Sequence, residues 1–226
     1  MTDFFDAAKQ SKAKELAHGK TQIDVCKANG VEYVVLATAA DLEHMNDKTH
    51  HIKSKIPVEE YFKASGLKGS ILRPVAFFEN FDDPKNYNPL SKGNVKFLSE
   101  ASVKFCATYD IGLAAAVHFQ NQNEWNGKTL DVASWKGTVH EVGAALEKVS
   151  GIKTKGSLAM PLCLRYLFLN DLHNMCLYFE NDGGFKSDID AFKAVVPTAM
   201  SCEDFFRFHG KFADGSPIES GNSNKV

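Results

Sequence analysis

Seven consecutive residues, Glu32-Tyr-Val-Val-Leu-Ala-Thr38, constrain the fold more than any other part of the chain. A run this apolar and β-branched, with no polar alternation, suits a strand covered on both faces, as parallel sheets require. The flanking sequence supplies helices for such a sheet. Residues 11–29 put Leu16, Gly19, Ile23 and Cys26 on one helical stripe, and Gly30 is placed to cap the end. Residues 39–50 are polar and loop-like. A second helix is predicted from His51 to Ser65, closing on Gly66. Pro57 sits in its first turn or kinks it, because proline cannot donate to Lys53. Ser70 to Arg73 is the next short strand, ended by Pro74.

Beyond an aromatic turn, Asn86 to Gly93 reads as a Pro/Asn/Gly loop, and Val95 to Phe105 alternates weakly, like a partly exposed strand. Asp110 is placed to cap a helix reaching Phe119. Lys128 to Ala133 is a strand. Thr138-Val-His-Glu141 has capping-box spacing for a helix ending at Gly151. Residues 162–180 read as one mostly apolar helix, Ile189 to Val195 as a short helix stopped by Pro197, and Ser201 to His209 as a final amphipathic one. Helices alternating with strands point to an α/β sheet with a smaller helical region at the carboxyl end.

Charge and cysteine usage narrow the function. Lys plus Arg total 26 against 28 Asp plus Glu, and the basic residues are scattered, so no nucleic-acid or membrane-surface footprint is expected. The five cysteines (Cys26, Cys106, Cys163, Cys176, Cys202) are widely spaced, which argues against a disulfide framework or zinc site and favours a reducing compartment. Met1-Thr-Asp-Phe-Phe-Asp lacks the features of a signal peptide. The apolar run from Met160 to Phe168 is interrupted by Arg165 and falls short of the ~20 residues a bilayer span needs. Cytoplasm is the expected location.

Two stretches can carry chemistry. In His51-x-x-x-Lys55, a four-residue helical spacing would point both side chains into one cleft, where the lysine can bond a ribose hydroxyl or lower the pKa of a nearby acid. The same pair also reads as a solvated lysine beside a surface histidine. In Arg73-Pro74-Val-Ala-Phe77-Phe78-Glu79-Asn80, the phenylalanines offer walls for a flat ring and the Asn80 amide can fix a carboxamide or hydroxyl. Alternatively, both rings are core and Asn80 caps a turn. No Ser-His-Asp arrangement or metal-ligand spacing occurs.

In order and spacing these blocks resemble the NmrA-like branch of the short-chain dehydrogenase/reductase superfamily, from about Thr2 to Phe208. The matching pieces are Ala28-Asn-Gly30-Val-Glu-Tyr-Val-Val, His51-x-x-x-Lys55 continuing to Val58-Glu-Glu-Tyr61-Phe, and Leu72-Arg-Pro74 leading to Phe77-Phe78-Glu79-Asn80. They continue with Tyr109-Asp110-Ile-Gly112, Glu124-Trp125-Asn-Gly127-Lys and His140-Glu141. The resemblance implies an incomplete Rossmann-like parallel sheet flanked by helices, with a small, mostly helical carboxyl-terminal substrate or partner region. That domain spans residues 1–212, with a disordered tail over 213–226. It further implies that Thr38, Lys55, Pro74, Phe77, Phe78, Glu79 and Asn80 contact NADP, with His51 and Lys55 the candidates for any catalytic role. The superfamily's usual proton donor is a tyrosine four residues before the lysine; His51 stands in its place.

The family begins with a strand and G-x-x-G-x-x-G, whose glycines let helix-end amides approach a pyrophosphate. Residues 1–30 hold only Gly19 and Gly30, and Thr2-Asp-Phe-Phe resembles the turn after the family's fourth strand. By that alignment the adenine and pyrophosphate half of the site is missing, and Glu32 to Thr38 becomes an exposed apolar edge, which natural proteins rarely tolerate. Either the chain is a truncated piece of a longer reductase-like protein, or a protein partner or self-association covers the edge. The resemblance thus leads to an NADP(H) redox sensor or regulator that binds NADP weakly or not at all by itself. The alternatives are an NADPH-dependent reductase of small carbonyl or quinone compounds, as a fragment of a longer enzyme, and a non-catalytic structural subunit.

Overall fold

The computed structural model describes residues 12–82 and 93–209. Thr2 to Phe5, most of the Asn86 to Gly93 loop and the 213–226 tail lie outside the described residues. Three parallel strands form the main sheet in the order β1 (Val34–Ala37), β2 (Gly69–Pro74), β6 (Thr129–Val132). Val34 pairs with Gly69, and Arg73 with Asp131. Helices α1 (Lys12–Ala28), α2 (His50–Lys53) and α3 (Ile56–Ala64) connect and flank β1 and β2. One face of the sheet, with Val34, Leu36 and Ile71, packs against Leu16 and Ile23 of α1 and Val58 and Phe62 of α3. The other face carries Ser70, whose hydroxyl lies 2.8 Å from His118 Nδ1 of α4 (Thr108–Gln120).

Among the described residues β1 pairs only with β2. Its valines and Leu36 are therefore half-buried and Ala37 exposed, rather than fully covered as the apolar run predicts. Both faces have helices; the open flank sets the exposure.

From Pro74 the chain crosses into a second, mixed sheet of β3 (Ala76–Phe77), β5 (Val103–Cys106) and β7 (Trp135–Gly137). A parallel pair, β4 (Asn94–Phe97) and β8 (Lys155–Leu158), lies beyond it. The predicted Val95 to Phe105 strand is thus two strands in two sheets, and Val95, Phe97, Val103 and Phe105 are all buried. The aromatic turn, a 3-10 helix from Phe78 to Asp82, is the hub of the core. Phe78 stacks on Phe105 at 5.6 Å and on Phe205 at 5.2 Å, while Phe81 contacts Phe97 and Phe105.

Local signals explain several ends. The capping box of α6 (Val139–Ser150) is complete, with Thr138 Oγ1 accepting from the Glu141 N–H and the Thr138 N–H donating to Glu141. Gly151 closes that helix at φ 70°. Gly156 lets α6 ride directly on β8, since a Cβ there would lie 2.1 Å from the Val139 carbonyl oxygen.

Other ends are set from a distance. Asp110 does not cap α4; it is fully buried in the first turn and accepts from the Met200 N–H at 3.1 Å. The short α5 (Gln122–Trp125) follows, and Trp125 stacks on His118 at 4.0 Å. The predicted 162–180 helix divides at Leu169 (φ −131°) into α7 (Leu162–Phe168) and α8 (Asn170–Asp182). No Gly or Pro marks this break. Tertiary bonds of Arg165 fix α7 in its own direction. Helices α9 (Ile189–Val195) and α10 (Cys202–His209) follow as predicted and are the last described elements.

Replacing Thr138 by Ala should cost about 1 kcal/mol, read as a lower urea midpoint at unchanged slope. His118 gives a pH test. Burial holds its imidazole down at about 4. The unfolded chain then takes up a proton that the native ring refuses, so stability falls as pH drops from about 6.5 toward 4, by roughly 3 kcal/mol in all. His118→Phe should flatten that part of the stability curve, whatever it costs at neutral pH.

Candidate functional site

The carboxyl ends of β1 and β2, where α/β sheets collect ligands, bring together Thr38, Arg73, Pro74 and the α2–α3 segment. Pro74 is the last residue of β2; its carbonyl accepts from the Ala40 N–H at 3.0 Å, tying the β1 loop to the strand end. Thr38 donates through its hydroxyl to Glu59 Oε1 at 2.6 Å. The side chain of Glu59, on α3, is only 3% exposed, and it also takes Arg73 in a two-point bond at 2.9 and 2.6 Å. Arg73 reaches Glu43 as well, at 3.0 Å. The Glu59 bond, opposed by burial, raises the Arg73 pKa further above neutral. Its donors are already committed to carboxylates.

His51 and Lys55 do not share one continuous helix. Pro57, at the start of α3, cannot donate to the Lys53 carbonyl, and the helix breaks over Ser54 and Lys55. The two side chains consequently find separate partners. Lys55 Nζ donates to Glu15 Oε1 of α1 at 2.6 Å, and Ser54 bonds the other oxygen of Glu15. His51 Nδ1 meets Asp171 Oδ1 of α8 at 2.8 Å, while the His51 N–H donates to Oδ2 at 3.1 Å. A carboxylate acceptor at that distance fixes the ring proton on Nδ1.

Helix α8 presents a polar stripe to this region. Asp171, Asn174 and Tyr178 follow at helical spacing and meet His51, Asn46 and Asp41 respectively. Asp41 is 5% exposed, has φ 56°, and accepts from the Tyr178 hydroxyl and the Lys186 N–H, each at 2.9 Å. Burial and then the Asp41 bond push the Tyr178 phenol well above its ordinary range. Beside this seam, burial raises the Asp131 carboxyl, and burial together with the neighbouring Lys136 lowers the Lys104 ammonium.

The aromatic turn divides its residues between core and site. Phe78 is fully buried, so its ring is a core element and cannot line a cleft. Phe77 and Asn80 are half-buried. Glu79 caps α4, accepting from the Thr108 N–H at 2.7 Å and the Thr108 hydroxyl at 2.6 Å. Glu15, Glu59 and Asp171, which hold Lys55, Thr38 and His51, carried no sequence signal. Those three bonds span 40, 21 and 120 positions.

The resemblance implies a dinucleotide, and its phosphates need unsatisfied amides at a helix start. The amino ends of α4, α6 and α9 are already satisfied by Glu79, Thr138 with Glu141, and Asp188. Arg73 is committed, and the whole sequence contains no G-x-x-G-x-x-G or G-x-G-x-x-G. The described residues therefore lack the glycine-rich cradle and a free arginine for the phosphates, although the starts of α2, α3, α7 and α8 carry no side-chain cap. Of the positions the resemblance implies, Thr38 directly follows β1, Lys55 lies in the break between α2 and α3, and Phe77 and Asn80 lie at the end of β3 and in the turn after it. No cluster of three or more His, Cys, Asp or Glu able to hold a metal occurs among the described residues. No described helix is long and apolar enough to cross a membrane.

Comparison with known proteins agrees with this frame. Prestalk A differentiation protein A of Dictyostelium discoideum is 26% identical over 115 residues, half of this chain and 35% of that protein. The chain thus matches about a third of the length of that relative. The Citrobacter sp. triphenylmethane reductase complexed with NADP(H) superposes with a TM-score of 0.68 at 14% identity, over 87% of this chain and 72% of that one. NmrA, a negative transcriptional regulator solved with NAD, gives 0.65 at 15% identity, over 85% and 68%. These likenesses establish the Rossmann-like fold. The model of the NmrA-like family matches residues 3–208, nearly the whole chain, so this protein belongs to the NmrA-like family.

Proposed function

We propose that the chain acts as an NADP(H)-responsive regulator in the cytoplasm, without turnover, and that it binds the cofactor weakly on its own. One observation carries the reading: Thr38, His51 and Lys55 are each held by a carboxylate from another element, Glu59, Asp171 and Glu15. A lysine neutralised at 2.6 Å has little field left to lower the pKa of a neighbouring proton donor. It can still exchange Glu15 for a ribose hydroxyl, which is what binding without catalysis requires. All five cysteines are unpaired, in keeping with a reducing compartment.

The reductase reading has one specific support. Asp171 orients the His51 ring, as a general acid would need, and a triphenylmethane reductase shares the fold.

Fluorescence titration separates the two. The wild-type chain should remain unsaturated at about 10 µM NADPH, and Glu15→Gln, which releases Lys55, should tighten binding by about 3- to 10-fold. Adding Lys55→Ala should cancel that gain. Saturation of the wild type below micromolar NADPH would remove the weak-binding claim. Turnover of a quinone or aldehyde, lost in Lys55→Ala, would replace the regulator with the reductase.

A further inference from the structure

Helix α7 has its amphipathicity inverted. Its one inward residue is Arg165, 1% exposed, while Leu162, Leu164, Tyr166, Leu167 and Phe168 are 53, 40, 58, 67 and 75% exposed. A surface helix ordinarily does the opposite. The arginine is tightly held. Its guanidinium bonds the Leu98 carbonyl at 2.5 Å and both oxygens of Glu180 at 2.9 and 3.0 Å, and its Nε donates to His173 at 3.2 Å. A buried charge is tolerated only when so paired. The helix is therefore anchored through its polar side and presents its apolar side outward.

We infer that α7 is the contact surface of a symmetric dimer, in which it packs against α7 of a second copy. The five exposed side chains offer about 500 Å² of apolar surface, at the upper end of what a soluble monomer leaves uncovered. A two-fold contact uses the same patch twice, giving about 1,000 Å², the size at which specific interfaces begin. No exposed residue of α7 is charged, so like meets like without repulsion. The other exposed large hydrophobics are scattered over α1, the loop before β1, α4, the turn after α6 and α10. Of these, Tyr109 and Phe208 touch at 5.2 Å, a patch of two side chains against the five of α7. A lipid surface is a poorer match: between Ala159 and Gly183 the only Lys or Arg is the buried Arg165. This dimer does not depend on cofactor binding.

Sedimentation velocity on the full chain tests it. The mass should rise from one chain to two between about 1 and 200 µM. Leu167→Asp and Phe168→Asp should each weaken association at least tenfold, with thermal unfolding unchanged. If a variant unfolds, amide chemical shifts of the wild type on dilution decide instead, and they should move over residues 162–168. A monomer at every concentration overturns the inference. So does a dimer that survives both substitutions, or dilution shifts confined to other elements. Binding to phosphatidylcholine–phosphatidylserine vesicles without dimerisation overturns it as well.

Discussion

The carboxylate of Asp41 joins the two parts of the molecule, and the geometry of the site depends on it. A carboxylate 5% exposed would be very costly without partners. Asp41 has two, the Tyr178 hydroxyl and the Lys186 N–H, and both belong to the carboxyl-terminal region. Its left-handed backbone, which aspartate accepts more readily than most residues, turns the chain three residues after Thr38 so that the side chain faces α8. With Tyr178 fixed there, Asn174 and Asp171 fall one and two turns back along the same face. Asp171 then reaches His51. The orientation of the histidine is thus a consequence of a bond made about two helical turns away.

What the sequence reveals follows the range of the forces involved. The strands β1 and β2, helix α1 with its Gly30 end, and the Thr138 capping box rest on neighbours within a few residues, and all are legible. The break between His51 and Lys55 was half legible, because Pro57 must disturb the helix but cannot say how. The division at Leu169 was not legible: its cause is Arg165, which bonds the Leu98 carbonyl 67 positions away. Nor was the role of Glu79, which satisfies an amide of α4 across 29 positions. Asp110, next to that amide, looks like the cap in one dimension and instead holds Met200.

The same distinction applies within the site. The sequence singles out Thr38, His51 and Lys55, but it could not reveal that acids from α3, α8 and α1 would occupy them. Such ion pairs matter for ligand choice. An anionic dinucleotide approaching Arg73 must compete with two carboxylates, one of them almost wholly buried, and breaking a buried pair leaves a charge without compensation. Glu15 is the weaker competitor, because its pair with Lys55 is partly open to solvent. Exchange at Lys55 is therefore the less costly route for a ligand into this half of the site.

Helix α8 carries both features that distinguish the chain, and its two polar stripes keep them apart. Asp171, Asn174 and Tyr178 bond the loop and helix after β1, whereas His173 and Glu180 bond Arg165 beneath α7. A ligand that drew His51 away from Asp171 would leave the Asp41–Tyr178 bond in place, so α8 itself need not move. Protonation of His173, whose pKa is lowered by burial and by Arg165, would instead act on α7, by removing the acceptor of the Arg165 Nε–H. Coupling between sites requires an element with two arrangements that both ligands bias. A helix held along two faces by separate bonds is the opposite of that, so cofactor occupancy and exposure of α7 should vary independently.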